Sequence, residues 1–133
     1  MSDELSVTEV PGDVPAVVDR VTASLQARGV TVFAAIDHAA GARAAGLELS
    51  DEVLLVFGNP AVGTALMQAD PVAGYDLPLR MLVWSQDGVT RVAYEDPAAL
   101  GKRYALDREQ HTLVALRGLL QHLVADAAGG APR

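Results

Sequence analysis

The sequence predicts an α/β fold of the two-layer α+β type, with helices packed on a single mixed β-sheet. Three observations predict it. Strand-like and helix-like stretches alternate along the 133 residues. The run EVLLVFG is continuously apolar, as expected of a central strand buried on both faces. The Asp87-Gly88 pair separates two strand-like runs, which is a strong hairpin signal. The predicted order is β-α-β-α-β-α-β-β-α-α.

The first half of the chain supplies two strands and two helices before the central strand. ELSVTEV alternates apolar and polar residues, which indicates a first strand. The next helix is expected between Asp13, a good N-cap residue, and Gly29, which closes it. VTVFAAID is a β-branched and aromatic run and predicts a buried strand. HAAGARAAG predicts a short helix that stops at Gly46.

The second half continues with a helix, a hairpin and two further helices. One helix is expected from Pro60 to the residue before Pro71, and VAGYDLP is expected to be a loop. LRMLVW and VTRVAYE form the hairpin, and DPAALGKRY opens a short helix at Pro97. The last helix is predicted to start at Asp107, with Gln110 as its capping-box partner.

Length and composition exclude several classes of function. We expect a single globular domain over residues 1–126 and a disordered tail over residues 127–133. The absence of cysteine excludes disulfides and thiolate chemistry. The net charge of −7 and the scattered arginines disfavour nucleic-acid binding. The acidic N-terminus and the lack of a long apolar run predict a soluble cytoplasmic protein with no membrane partner.

No cofactor or metal site is predicted. His111 and His122 lie on one face of the last helix but are separated by 11 positions, or roughly 16 Å, so they cannot share an ion. They are expected to form part of a solvated stripe. His38 with neighbouring carboxylates would make only a weak transition-metal site.

The stretch VFGNPAVGTALMQ resembles a phosphate-binding loop without its lysine, which disfavours nucleotide hydrolysis. Gly58 is expected to take a positive φ at the strand exit, and Asn59 to cap the following helix. Gly63 is unexplained by local structure, because glycine early in a helix is unfavourable. Two interpretations stay open: a helix packed tightly at Gly63, or a loop that lines a ligand site.

Polar and aromatic residues near other strand ends are further candidates. His38, oriented by Asp37, is a candidate general base, although a capped helix start explains the pair equally well. Arg80 is either an anion clamp or a surface partner of an acid such as Asp76. Trp84 and Tyr94 would be pocket walls or ordinary core.

The predicted site residues therefore form two groups. The catalytic candidates are His38, Asp37 and Arg80. The ligand-binding candidates share positions near strand ends or on one turn of the helix after Pro60; they are Asn59, Gly63, Thr64, Met67, Gln68, Asp76, Trp84 and Tyr94.

Three blocks, AAIDHAAGARAAGLEL, LLVFGNPAVGTALMQADP and YDLPLRMLVWSQDGVTRVAYEDPAAL, resemble the bacterial domain-of-unknown-function family 302 in sequence and order. The resemblance covers roughly Leu5 to Val124. It implies a compact α/β domain, often standing alone, with no agreed biochemical activity. The chain departs from the family pattern at two places. It has Arg80 where the family commonly has lysine, and it has Ser85-Gln86 after Trp84 where the family commonly has acidic residues.

We expect a binding or sensing module for a small molecule, with anions among the candidate ligands. The alternatives are a small enzyme that uses His38 as general base and Arg80 as anion stabiliser, and a structural homodimer module. The binding and enzyme hypotheses depend on one geometric expectation: the segments at Asp37-His38, Asn59 to Thr64 and Asp76 to Arg80 must meet around a common hollow.

Overall fold

The computed structural model describes residues 5–129. The predicted order of strands and α-helices is confirmed. The elements are β1 (Leu5–Val10), α1 (Val14–Ala27), β2 (Thr31–Asp37), α2 (His38–Ala44), β3 (Glu52–Gly58), α3 (Pro60–Ala69), β4 (Leu79–Gln86), β5 (Val89–Glu95), α4 (Ala98–Arg103) and α5 (Gln110–Ala127). The segment VAGYDLP, expected to be a loop, lies mostly in a 3-10 helix over Pro71–Asp76.

The five strands form one sheet in the order β1-β5-β4-β3-β2, and every neighbouring pair is antiparallel. The fold class is as predicted, but the expectation of a mixed sheet is wrong. Parallel neighbours need a crossover connection, whereas the short helix α2 and the loop after it only reverse the chain between β2 and β3. As a result, Asp37 at the end of β2 pairs with Val53 near the start of β3.

The core lies on one face of the sheet, where α1 and α5 pack against it. Apolar residues of α1 at helical spacing meet alternate residues of the strands, because side chains alternate between the two faces of a strand. The fully buried members include Val17 and Val21 of α1, Phe57 of β3, Met81 of β4 and Leu123 of α5.

The other face of the sheet, called here the outer face, is turned away from this core. Its residues fall into rows across the strands that the pairing register defines. The middle row crosses all five strands and is apolar throughout: Val7, Ala93, Leu82, Leu54 and Ile36.

Most local predictions are confirmed by the backbone. Asp13 Oδ1 accepts a hydrogen bond from Ala16 N at 2.9 Å, as an N-cap does. Asp87 and Gly88 both have positive φ, of 54° and 77°, as a two-residue hairpin turn requires.

Two local predictions are wrong, and a third lies partly beyond the described residues. Gly58 does not have a positive φ. Asp107 does not cap the last helix through Gln110, because Asp107–Glu109 forms a 3-10 turn and α5 begins at Gln110 without a side-chain cap. The predicted disordered tail starts inside α5, which ends at Ala127, and residues 130–133 lie outside the description.

Candidate functional site

A cavity of about 580 Å³ lies between the Gly58 end of β3, helix α3 and the first turns of α5. It is called here the α3 cavity. Its walls are mainly apolar, and the principal contributors are Phe33 from β2, Leu66 and Met67 from α3, and Leu116 and Leu119 from α5. A hollow of this size and character, with few polar groups, is typical of small-molecule sites.

A few polar side chains lie on the lining of the α3 cavity. Asn59 and Thr64 come from the start of α3, and His111 and Thr112 come from the first turn of α5. Asn59 Oδ1 accepts a hydrogen bond from Ala61 N at 2.9 Å, so this side chain also caps α3. Thr112 Oγ1 donates to Glu109 Oε1 at 2.7 Å. The cavity therefore combines apolar walls with hydrogen-bonding groups from two helix starts.

Gly63 lines the cavity without being required by packing. A Cβ built at Gly63 would meet only one neighbouring atom, Met67 Cε at 3.9 Å, which is ordinary contact. The interpretation of a helix packed tightly at Gly63 is therefore wrong. The glycine keeps free a part of the cavity volume that any larger side chain would occupy.

Gly58 lies at the mouth of the cavity, between the segment before β4 and the edge strand β2. A Cβ at Gly58 would lie 3.6 Å from Pro78 Cβ and 3.7 Å from Phe33 Cε2, which is ordinary contact. Packing therefore does not require glycine at this position either.

A second, smaller cavity of about 250 Å³ opens where β4 and β5 separate. Their pairing stops at Leu82 and Ala93, so Arg80 and Glu95 beyond it are not paired in the register. Asp76, Arg80 and Glu95 all line this cavity.

An ion-pair cluster lies beside this second cavity. Asp76 accepts hydrogen bonds from Tyr104 Oη at 2.7 Å and Arg103 Nε at 3.1 Å, and Arg80 Nη2 lies 3.8 Å away. The hydrogen bond from Tyr104 is the main cause that lowers the pKa of Asp76, and the charge of Arg103 adds to it. The same hydrogen bond to Asp76 raises the pKa of Tyr104. The cluster holds Asp76 ionised and Tyr104 protonated, which suits a fixed structural role.

The predicted ligand-binding residues are brought together only in part. Asn59, Gly63, Thr64 and Met67 line the α3 cavity, which is their expected arrangement. Asp76 instead lines the second cavity. The remaining three, which line neither cavity, are Gln68, Trp84 and Tyr94.

Trp84 and Tyr94 cannot be walls of one pocket. Trp84 of β4 pairs with Arg91 of β5, so these two side chains lie on the same face of the sheet. Tyr94 is three positions after Arg91 on β5, and side chains alternate along a strand, so the rings of Trp84 and Tyr94 lie on opposite faces. Tyr94 packs against the core, which is the alternative that the sequence left open for it.

The expectation that three segments meet around one hollow is wrong for Asp37-His38. Asp37 is next to Val53, whereas Arg80 is next to Val56, so the two lie at different positions along β3 and on different sides of it. That offset corresponds to about 14 Å between their backbones. Asp37 Oδ1 accepts from Ala40 N at 2.9 Å as an N-cap, and His38 lines neither cavity.

Sequence reasoning missed the contributions of distant segments to the α3 cavity. His111 was predicted to lie in a solvated stripe and Phe33 in a buried strand, and Pro78 entered only as part of the segment from Asp76 to Arg80. The only available signal for His111 was its place in the first turn of the last helix. Among the described residues, no group of three or more potential ligands could hold a metal ion. In the same part of the chain, no helix has the length and apolar character that a membrane crossing requires.

Comparison with known proteins adds a family and a fold. Residues 6–123 match the family described as "Domain of unknown function DUF302". The crystal structure of an uncharacterised conserved DUF302 protein from Bacillus stearothermophilus superimposes with a TM-score of 0.82 over 93% of this chain and 98% of that one. At 18% identity, that likeness concerns the fold alone.

Longer proteins also contain a similar segment. Proteins named fluoride-specific ion channel FluC 1 in Brucella suis biovar 1 and Brucella abortus biovar 1 are each 45% identical to this chain over 91 residues, or 67% of its length. The chain spans about a third of the length of these curated relatives, 35% and 33% respectively.

Proposed function

Because the chain belongs to the DUF302 family, whose description assigns no activity, we propose from its geometry that it is a small-molecule binding module with a sensing role. The single observation that carries the proposal is the α3 cavity. Its volume of about 580 Å³ is within the usual range for sites that bury a small organic ligand.

The lining defines the class of ligand. Aliphatic and aromatic side chains dominate the walls, and neither lysine nor arginine contributes to them. The best match is a mostly apolar molecule with one polar group, which would lie beside Asn59 and Thr64. An anionic group would depend on the start of α3 alone, so a neutral hydrogen-bonding group fits this end of the cavity better.

The longer relatives support the sensing part of the proposal. Those proteins are named as fluoride channels, and two thirds of each lies outside its similarity to this chain. A compact binding unit joined to a channel suits a role in which the ligand state of one part is read by another. Fluoride itself does not fit the α3 cavity, because a small, strongly hydrated anion needs charges or several donors to replace its water.

The proposal is tested with a neutral fluorescent apolar probe, N-phenyl-1-naphthylamine, followed by a metabolite library in a thermal-shift assay. Gly63→Leu would place a side chain in the α3 cavity, whereas Gly118→Leu makes the same change in α5 at a glycine that lines neither cavity. We expect weaker probe binding and smaller thermal shifts in Gly63→Leu only.

Equal binding by the wild type and both variants would remove the support for the α3 cavity, as would a library without any stabilising compound. Sodium fluoride is included as a separate addition and is expected to give no shift. The enzyme hypothesis gains no support from the geometry, since His38 and Arg80 do not line a common cavity.

A further inference from the structure

The outer face of the sheet carries an apolar middle row that is incompletely covered. Val7 and Ile36 at the two ends of the row are 48% and 44% exposed, and Leu54 and Leu82 between them are partly exposed. The row is apolar across all five strands, and its β5 member, Ala93, is buried at 3% exposure. A continuous apolar band on a sheet face is typical of a surface that another layer covers.

Two flanking rows contain charges of both signs. The Arg80 row has two parts, Leu5 with Glu95 and Arg80 with Val56 and Ala34, because β4 and β5 no longer pair at this level. The Trp84 row contains Glu9, Arg91, Trp84 and Glu52. An apolar centre between polar margins is the usual anatomy of a protein interface.

The charge on this face differs from that of the whole chain. The outer face has three carboxylates, from Glu9, Glu52 and Glu95, and two guanidinium groups, from Arg80 and Arg91, which leaves a difference of one. The chain as a whole has a net charge of −7. Two copies of such an acidic chain repel each other over most surfaces, and the outer face is where this repulsion is small.

We propose that the outer face is the interface of a homodimer, in which a second copy packs its own outer face against the first. The two-fold axis runs along the middle row, between the two sheets. This inference is independent of the α3 cavity, which lies around α3 and the start of α5.

This axis gives complementary charges. Rotation about the middle row places each strand of one copy over the same strand of the second copy. It brings the Arg80 row of one copy opposite the Trp84 row of the other. Glu95, which pairs with Arg103 of its own chain, then faces Arg91 of the second copy, which pairs with Glu9 of its own chain. The contact is therefore a network of two acids and two arginines. Arg80 faces the ring of Trp84 of the second copy, which is a favourable cation–π arrangement. An axis along the strands would instead place Arg80 opposite itself.

The dimensions suit a dimer interface of modest size. Five strands at their usual spacing give a width of about 24 Å, and the three rows extend over about 20 Å, so the flat projection is about 500 Å². The accessible surface of projecting side chains exceeds a flat projection, so a face of this size supplies an interface toward the smaller end of the range for specific complexes, below the roughly 800 Å² per partner of standard ones.

The proposal is tested by sedimentation equilibrium and by the fluorescence of Trp84, the one tryptophan of the chain. We expect twice the chain mass at micromolar concentrations, and a shift of the emission to longer wavelength on dilution as Trp84 becomes hydrated. Leu82→Asp and Val7→Asp should both give monomers. Val114→Asp, at an exposed position of α5 that is 68% accessible, is the matched control and should stay dimeric.

Far-UV circular dichroism separates loss of association from loss of folding. Val7 lies on the edge strand and is half exposed, so Val7→Asp keeps the test valid if Leu82→Asp does not fold. A wild-type monomer at all concentrations would overturn the proposal, and so would a dimer that survives Val7→Asp as well as it survives Val114→Asp.

Spin labels define the axis. The chain has no cysteine, so Val7→Cys provides a single labelling position in each copy. An axis along the middle row places the two Val7 backbones about 10 Å apart, whereas an axis along the strands places them about 22 Å apart. A long distance between the labels would contradict the proposed packing.

Discussion

Arg103 and Glu95 form a bidentate ion pair, with Nη1 and Nη2 of the guanidinium donating to the two carboxylate oxygens at 2.9 and 2.7 Å. Arg103 also donates from Nε to Asp76 at 3.1 Å, so one side chain joins α4 to the end of β5 and to the segment before β4. The pair spans the region where β4 and β5 no longer pair with each other. Arg103 therefore stabilises a part of the sheet where β4 and β5 do not pair with each other.

Arg103→Lys is expected to lower the free energy of unfolding by about 1 kcal/mol, because lysine has no planar fork to bind both acids at once. Urea unfolding measures the change. Arg43→Lys on α2 is the control, since the described residues give Arg43 no ion pair. Equal effects of the two changes would contradict a specific role for the fork of Arg103.

Asp76 is expected to make the free energy of unfolding depend on pH in the acidic range. Its pKa in the folded protein is lowered from the ordinary 3.8, mainly by the hydrogen bond from Tyr104, so its contribution is complete above 3.8. That contribution is lost as the pH falls through the lowered folded pKa. Between neutral pH and pH 2, the free energy of unfolding should fall less steeply in Asp76→Asn than in the wild type. Parallel curves would show that other carboxylates cause the loss.

Tyr104 is expected to act at the opposite end of the pH scale. Its pKa is raised above 10.0, mainly by the hydrogen bond that it donates to Asp76, so its contribution is complete below 10.0 and is lost as the pH rises through the folded pKa. Ultraviolet titration of the phenol in the wild type and in Tyr104→Phe should show one late-titrating tyrosine that the substitution removes.

Gly63→Ala is expected to raise the free energy of unfolding by about 0.5–1 kcal/mol, since alanine favours the helix and the added Cβ has room. Gly118→Ala in α5, where nothing lies within 4 Å of a built Cβ, is the matched control and should gain a similar amount. Thermal and urea unfolding measure both. Destabilisation at Gly63 beside a gain at Gly118 would reveal a tight contact at the cavity wall.

Asp126 is buried at 7% exposure and accepts a hydrogen bond from Ser24 Oγ, with Arg28 Nη2 at 3.4 Å. Asp126→Ala is expected to cost about 1–3 kcal/mol, because the buried hydroxyl of Ser24 loses its acceptor. A double-mutant cycle with Ser24→Ala isolates this pair. Additive effects of the two substitutions would mean that the hydrogen bond between α1 and α5 contributes little.

Local sequence signals predicted the elements and part of the site. The caps at Asp13 and Asn59 and the turn at Asp87-Gly88 involve neighbours within a few positions, so residue type alone is informative. Gly63, Thr64 and Met67 lie on adjacent turns of one helix, and their shared position at the α3 cavity follows from helical spacing.

Strand direction and the remaining cavity wall were decided by tertiary structure. The sequence of β2 is compatible with either direction beside β3, and the antiparallel choice moved His38 to the far end of the sheet from Asn59. Phe33 and His111 reach the α3 cavity from segments remote in the chain. The sequence alone determined the order of elements and the helix start at Asn59, because those depend on local backbone preferences. The shape of the cavity and the composition of the outer face arise only when distant strands pair, since their free energy depends on contacts between residues far apart in sequence.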